Sequence, residues 1–559
     1  MSSSYFRYVT RIKPFHFLLF WLVLNTVQAA FTELTSDEGY YWFYSTRLQW
    51  GYYDHPPFLA CIIHPGYQIL RNELGVRLIN VIMNSAALFL FFKLVSPYVK
   101  NWLIIFLLIV SMPLFNYLSF IVFPDGPLLF FTIIFLLAYR RYLEREDLVS
   151  SIIMGVAMAF MFYSKYHGLL VLIFTILSNV KLLRSKFFYL SITIALMLFL
   201  PHIIWQYANG FPSLKYHLVG RMSPVSLKHL FEYVSQQIPV FGPAIMFVPF
   251  FYQPGNQFEK TLKFIVFGCL SFFLLTSLKT FIHFHWTSII IFPLLYMSAQ
   301  FYSDGRRRKL MLWLTLPVVL LIFSARLQLM IPIIPFNHAN VDYYNGRRMW
   351  ARDISTLTEC DTVLFQDNFR EASLFSFYST KKGVTIFSQL NRKSQYDLWH
   401  YEDSLQHKRL LYIRYEPFLG GQPTTTRIGK TMYCAHLRDF SSYFNIEMNA
   451  SCIRAENDSD SLAFVIDIKN PRQQRLSFTR DSEGNMPSLY YKIMSDNLII
   501  QTETIKDFSG RDDLPPNRSM RIIKRIPVMR LNRGRYRTIF GFQFGKLKDS
   551  ENGQLVITI

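Results

Sequence analysis

Two carboxylates stand side by side at Asp37 and Glu38, in the run Thr35-Ser36-Asp37-Glu38-Gly39-Tyr40-Tyr41-Trp42. A second mixed run follows closely, Trp50-Gly51-Tyr52-Tyr53-Asp54-His55-Pro56-Pro57. A carboxylate at a membrane surface can take the proton of an acceptor hydroxyl, so Asp37, with Glu38 beside it, is a candidate general base. The same pair also fits a plain solvated loop. The surrounding tyrosines and tryptophans fit either an interfacial belt or a platform for a sugar ring. A third acid, Asp125, is set in Phe123-Pro124-Asp125-Gly126-Pro127. Prolines on both sides fix a turn there. Ionisable groups at membrane depth are costly and tend to be functional, but this position serves equally as a helix N-cap. Basic groups recur at Lys165 and His167, at His217 and Arg221, and in His283-Phe284-His285-Trp286. Each can grip a phosphate, and each alone fits an interfacial anchor.

The elements that must position these residues are membrane helices. The 559 residues are 51% hydrophobic and 17% aromatic, with a mean hydropathy of +0.20, too apolar for a soluble globular chain. A crossing helix needs about 20 residues, or about 17 at the short end. The apolar runs predict eleven spans, near 14–31, 76–95, 102–120, 126–140, 148–164, 168–181, 187–205, 237–252, 263–279, 284–301 and 309–331. Alternate connections are basic: Arg7, Arg11 and Lys13; Lys100; Arg140, Arg141 and Arg145; Lys181, Arg184 and Lys186; Lys260 and Lys263; Arg306, Arg307, Arg308 and Lys309. Cytoplasmic loops carry such an excess, so the N-terminus is expected inside and residues 332–559 outside. The first run also faintly resembles a signal peptide, with Val27-Gln28-Ala29-Ala30 as a cleavage site. The acids and bases named above fall on the outer segments. The net charge of +21 sits largely between spans, where it sets topology. No nucleic-acid partner is expected; anionic lipid heads or phosphate are.

The chain changes character after Asn337. The expected division is a membrane domain over 1–335, an extracytoplasmic α/β unit over 336–428 and a β-sandwich-like domain over 429–559. Strands are expected at Thr362–Phe365, Val384–Phe387 and Leu410–Ile413, then short alternating runs to the C-terminus. Cys434 and Cys452 leave a disulfide open, with Cys360 over. No Cys/His spacing points to structural zinc, and there is no nucleotide-phosphate loop.

Asp37-Glu38-Gly39-Tyr40-Tyr41-Trp42, Gly51-Tyr52-Tyr53-Asp54-His55-Pro56-Pro57 and Glu73-Leu74-Gly75-Val76-Arg77-Leu78, in that order, resemble the bacterial membrane glycosyltransferases related to protein O-mannosyltransferases and to the lipid A aminoarabinose transferase. The resemblance continues through Pro124-Asp125-Gly126-Pro127-Leu128, Ser164-Lys165-Tyr166, Trp205-Gln206 and Gly210-Phe211-Pro212-Ser213 to Tyr343-Tyr344-Asn345-Gly346 and Ser394-Gln395-Tyr396-Asp397-Leu398-Trp399. It covers about residues 14–400 and stops before the β-rich tail. It implies a GT-C type α-helical polytopic fold in a bacterial inner membrane. It also implies transfer of a sugar from a polyprenyl-phosphate carrier to a lipid, protein or glycan acceptor on the outer face, with inversion.

By that resemblance Asp37 is the base or acceptor-orienting acid, Glu38 its neighbour and Asp125 the second acid of the fold. Tyr53, Asp54, His55, Lys165, His217 and Arg221 would line the substrates. Asp54-His55 stands where the aminoarabinose transferase has Glu-Lys, the basic residue facing the carrier phosphate and the acid helping to hold a metal. Histidine is only partly cationic at neutral pH, a departure from that pattern. A divalent ion held by Asp54 and His217, with Asp37 and Glu38 near, stays open. A transporter or flippase of lipid-linked glycans is the competing reading. It would put charges near the bilayer midplane and show internal repeats, whereas here the acids lie at span ends.

Overall fold

In the computed structural model, residues 13–99, 101–220, 224–303, 307–334, 345–390, 393–454, 461–481, 484–495, 498–507, 513–527, 531 and 534–558 are described. The chain folds as two units, Met1–Asn345 and Gly346–Ile559. In chain order the first holds α1 (Pro14–Phe31), α2 (Ser36–Ser45), α3 (Phe58–Ile69), α4 (Glu73–Val95), α5 (Trp102–Val110), α6 (Pro113–Leu118), α7 (Asp125–Glu144), α8 (Leu148–Ser164), α9 (Gly168–Ser178), α10 (Lys186–Ala208), α11 (Pro212–Lys215), α12 (Leu227–Phe241), α13 (Pro243–Met246), α14 (Val248–Phe251), α15 (Gln257–Ser277), α16 (Ile291–Phe301) and α17 (Arg308–Met330). This is a multi-pass helical membrane fold.

Each of the eleven expected spans coincides with helix, but fewer are single rods. Among the described residues five helices are long and apolar enough to cross, namely α1, α4, α7, α10 and α17, or six if a bent pair counts as one. The breaks have causes. Pro113 ends the run that begins as α5, because it has no N–H for the preceding turn. Asn116 then caps the freed carbonyls, its Nδ2 donating to Ile109 O (3.3 Å), Val110 O (3.1 Å) and Met112 O (3.0 Å). That rescue is what a membrane interior requires of an interrupted helix. At Gly242, with φ +83°, the chain turns by 103° between α12 and the α13–α14 segment. Residues 284–290 are 3₁₀ helix rather than α. The connection between the first two expected spans, 32–75, contains α2 and α3.

One buried ion pair joins the elements around the acids. Thr35 caps α2, accepting from Glu38 N, while Thr35 N donates to Glu38 Oε2 at 2.9 Å, a reciprocal capping box. Arg77 of α4 meets the same carboxylate with Nε–Oε1 at 2.7 Å and Nη2–Oε2 at 2.6 Å. Its remaining donors reach Ala29 O, Thr32 O and Glu33 O at 3.0, 2.6 and 3.0 Å, closing the end of α1. Val122 N donates to Glu38 Oε1 at 2.9 Å, and Asn80, one turn along α4, donates to Ile121 O at 3.0 Å. The 118–126 corner is thereby tied to α2 and α4. Both Glu38 and Arg77 are fully buried.

The Tyr52–Pro57 loop is fixed from α10. Trp205 lies flat against Gly51, where an added Cβ would fall 2.3 Å from the indole. Ser213 Oγ, just after the left-handed Phe211 (φ 58°), donates to Tyr52 O at 2.8 Å.

The second unit begins with α18 (Arg347–Thr356), β1 (Thr362–Gln366), α19 (Phe369–Tyr378) and β2 (Lys382–Ile386). It continues with β3 (Leu410–Arg414), β4 (Gln422–Thr425) and β5 (Thr431–Leu437). The five strands form one sheet in the order β2-β1-β3-β5-β4, parallel across β2-β1-β3 and antiparallel beyond. Trp350, Phe365 and Phe375 pack under it. The α/β sheet therefore runs past residue 428, where a β domain was expected to begin, because Thr431–Leu437 pairs back onto β3. Two antiparallel sheets follow. One contains β6 (Glu447–Arg454), β7 (Ser461–Lys469) and β10 (Ser519–Pro527). The other contains β8 (Ser488–Ser495), β9 (Leu498–Asp507), β11 (Arg535–Gln543) and β12 (Gly553–Thr558). Phe464 of β7 meets Phe540 of β11 at 5.5 Å between ring centres. All five cysteines are free thiols, so no Cys434–Cys452 bridge forms.

Arg77→Ala should cost about 3–5 kcal/mol, since it leaves a buried carboxylate alone. The double variant Glu38→Leu/Arg77→Met should not recover, because Ala29, Thr32 and Glu33 still lose their donor; thermal melting in detergent measures both. Gly51→Ala should lower stability by about 1–3 kcal/mol through overpacking on Trp205, read by the same assay.

Candidate active site

Asp37 and Glu38 are neighbours in sequence and divided in space. Successive side chains on a helix point about 100° apart. Glu38 turns into the protein, with its oxygens bonded by Arg77, Thr35 and Val122. Asp37 is half-buried and shares a helix face with Tyr41, four residues on.

Tyr41 leads to the second run. Its hydroxyl lies 3.4 Å from His55 Nε2, and its ring contacts His55 edge-on at 5.5 Å between centres. Tyr44, on the next part of α2, donates to the Asp54 carboxylate. His217 Nε2 is 2.9 Å from Asp54 O, and the His217 ring stands 6.3 Å from that of His55. Tyr53 packs on Tyr216 at 5.7 Å. Tyr166 meets His217 edge-on at 5.9 Å, and its hydroxyl is 2.8 Å from His202 Nε2 and 3.1 Å from Gln206 Nε2. Gln206 goes on to Ser213 Oγ at 2.7 Å. The sequence blocks at 164–166, 205–206 and 210–213 thus converge as one hydrogen-bonded wall behind the Asp54-His55 loop.

Asp125 is fully buried at the first turn of α7. Lys165 Nζ reaches both its oxygens at 2.9 Å, and Ser288 Oγ donates to Oδ1 at 2.6 Å. Lys165 sits in Lys165-Tyr166-His167, which joins α8 to α9, and is only 5% exposed. Next to this pair is His285, whose surroundings hold Lys165, His283, His167 and His55. Phe123 bridges the two halves of the cluster, 5.8 Å from the Tyr41 ring and 5.0 Å from His285.

Tyr53, Asp54, His55, Asp125, Lys165 and His217 are thus linked through Tyr41, Tyr216, Phe123 and His285, with Asp37 on the face of α2 that carries Tyr41; Arg221 lies outside the described residues. The residues that sequence reasoning did not single out are Arg77, Tyr41, Tyr44, Tyr166 and Ser288. Tyr41, Arg77 and Tyr166 stand in the sequence blocks quoted above, but their roles appear only with their partners: Tyr41 and Tyr44 reach the nearby His55 and Asp54, while Arg77 and Ser288 meet carboxylates 39 and 163 residues away.

The donors named for a metal do not fit one as folded. His217 Nε2 is engaged by Asp54 O, and the Asp54 carboxylate accepts from Tyr44. Among the described residues no group of three or more His, Cys, Asp or Glu side chains is placed to hold an ion.

Comparison with known proteins agrees with the fold. Residues 54–205 match the family described as dolichyl-phosphate-mannose-protein mannosyltransferase. The lipid A galacturonosyltransferase RgtD of Rhizobium johnstonii is 25% identical over 229 residues, 39% of this chain and 48% of the relative. The match thus spans about half the length of that curated protein. Among solved structures, ArnT from Cupriavidus metallidurans in the apo state superposes with a TM-score of 0.55 at 13% identity, over 75% of this chain and 97% of ArnT. The same protein bound to undecaprenyl phosphate superposes with a TM-score of 0.50 at 13% identity and the same coverage. At that identity the likeness is one of fold. In sequence across residues 54–205, and in fold across three quarters of its length, this chain is similar to the GT-C type membrane glycosyltransferases.

Proposed function

We propose that the protein is a membrane glycosyltransferase that moves a sugar from a polyprenyl-phosphate carrier to an acceptor hydroxyl or amine on the outer face. The observation that carries this reading is the meeting of acids and bases from six separated segments, around residues 37–41, 54–55, 125, 165, 217 and 285–288. RgtD is a lipid A galacturonosyltransferase, and ArnT has been solved with undecaprenyl phosphate, which makes a lipid-linked donor and a lipid acceptor the favoured pair. The chain sits in a bacterial inner membrane with its N-terminus cytoplasmic and its second unit outside. The broken helices complete eleven crossings, and the two antiparallel sheets close as a sandwich.

The acceptor oxygen or nitrogen attacks the anomeric carbon as the bond from that carbon to the phosphate oxygen breaks. The carrier phosphate leaves with the electron pair, and the acceptor proton passes to the Asp37 carboxylate. Attack from the face opposite the leaving phosphate inverts the centre. A phosphate is already a good leaving group, so the protein's task is to hold it and to orient the acceptor. Lys165, His55, His217 and Arg221 supply the positive side. Asp125 acts as a positioning residue that holds Lys165, and Glu38 as one that fixes α2; Asp37 is left as the catalytic base of the group. Tyr53 and Tyr41 offer aromatic faces to the sugar. No step is assigned to a metal.

Asp37→Asn should reduce sugar transfer about 10²–10⁴-fold while carrier binding and melting stay as in the parent; equal transfer by both proteins would remove Asp37 from the mechanism. Asp125→Asn should raise the carrier KM more than it lowers kcat, and Asp125→Glu should restore part of that KM. A purely structural role for Asp125 would show as lost protein with no KM shift.

A further inference from the structure

A second feature of the first unit lies apart from the cluster. A cavity of about 310 Å³ opens among α6, α12, the 3₁₀ segment and α17, walled by Leu114, Tyr117, Phe120, Val240, Phe284 and Ile322. A single water needs only about 10–15 Å³ of such space, so the cavity has room for a headgroup and part of a chain. Its lining is apolar except for Asn116, Arg326 and the hydroxyl of Tyr117.

Arg326 is 3% exposed. Its Nη2 donates to Asn25 Oδ1 at 2.7 Å, Ser119 Oγ at 3.0 Å and Asn116 O at 3.1 Å. Nε and Nη1 have no hydrogen-bond partner among the described residues. A guanidinium has five N–H donors, of which these two nitrogens carry three. No ion pair involves Arg326 among the described residues; its cationic neighbourhood is aromatic, Phe120 at 5.0 Å and Trp21 at 5.8 Å. A buried, always-charged group with three donors unused is costly unless an anion meets it.

The position favours a lipid as the source. Arg326 lies four residues before the end of α17, roughly 6 Å at a rise of 1.5 Å per residue. Only 22% of the apolar window of α17 is buried, and the cavity rim includes the exposed Pro239 and Ala325, so a membrane amphiphile can enter sideways. One aromatic layer separates the cavity from the cluster: Tyr117 touches Phe284 at 5.4 Å and Phe123 at 5.9 Å.

We infer that this cavity binds a phosphate-headed amphiphile, its anionic head beside the Arg326 guanidinium and its hydrocarbon between α12 and α17. The site is separate from the phosphate position proposed at the cluster.

The test uses the full chain purified in a neutral maltoside detergent, with dodecyl phosphate, dodecanol and inorganic phosphate as probes, and adducts counted by native mass spectrometry. The expected result is one dodecyl phosphate bound at least tenfold more tightly than dodecanol and not displaced by an equal concentration of inorganic phosphate. Ala325→Trp narrows the rim from an exposed position and should weaken that adduct at least tenfold with an unchanged melting midpoint. Arg326→Gln should do the same if it folds. A second dodecyl phosphate at the cluster would survive Ala325→Trp and be lost with Lys165→Met, so the two sites are told apart. Equal binding of dodecanol, displacement by inorganic phosphate, or full binding to Ala325→Trp overturns the inference.

Discussion

The constraint on which the site depends is the saturation of one buried ion pair. Arg77 has five N–H donors, and its five hydrogen bonds go to Glu38 twice and to Ala29, Thr32 and Glu33. Glu38 in turn accepts from Arg77, Thr35 N and Val122 N. Two charges removed from water repay their desolvation only under such full satisfaction. The geometry that provides it fixes the end of α1, the start of α2, the first turns of α4 and the corner that carries Asp125. Asp37 is presented where it is because its neighbour cannot move.

Two buried arginines of this unit, Arg77 and Arg326, make an instructive contrast. Arg77 is closed: every donor is consumed by protein groups. Arg326 is open: its Nη2 is anchored, its Nε and Nη1 are buried with no hydrogen-bond partner among the described residues, and the side chain borders a cavity. Both sit among helices, and both are long side chains in apolar surroundings. The difference is whether the carbonyls and carboxylates that would neutralise the charge come from the chain itself.

Much of this was readable before the fold. Apolar runs placed the helices, since a bilayer allows few alternatives. The acid-rich and histidine-rich blocks were correctly gathered at the ends of those runs. What escaped were pairings across long stretches of chain. Glu38 and Asp37 look alike side by side, and it is the capping box with Thr35 and the 39-residue link to Arg77 that separate a structural acid from its half-buried neighbour. Asp125 reads as a lone acid in a proline turn until Lys165, forty residues on, is seen to occupy both oxygens. The shape of the spans escaped as well. Pro113 and Gly242 break helices whose apolar runs continue without interruption.

The strand at Thr431–Leu437 has a practical bearing on how the second unit can be divided. It is the inner neighbour of β3, with β4 on its other side. A chain ended near residue 430, at the apparent change of composition, would strip β3 of its antiparallel partner. Leu410, Tyr412 and their neighbours would then border a row of unpaired N–H and C=O groups, the kind of bare sheet margin that recruits strands from other molecules. A cut after Leu437 would keep that sheet whole and still leave a charge stranded, because the buried Glu402 takes Ser442 and Arg472 from beyond it at 2.7 and 2.8 Å.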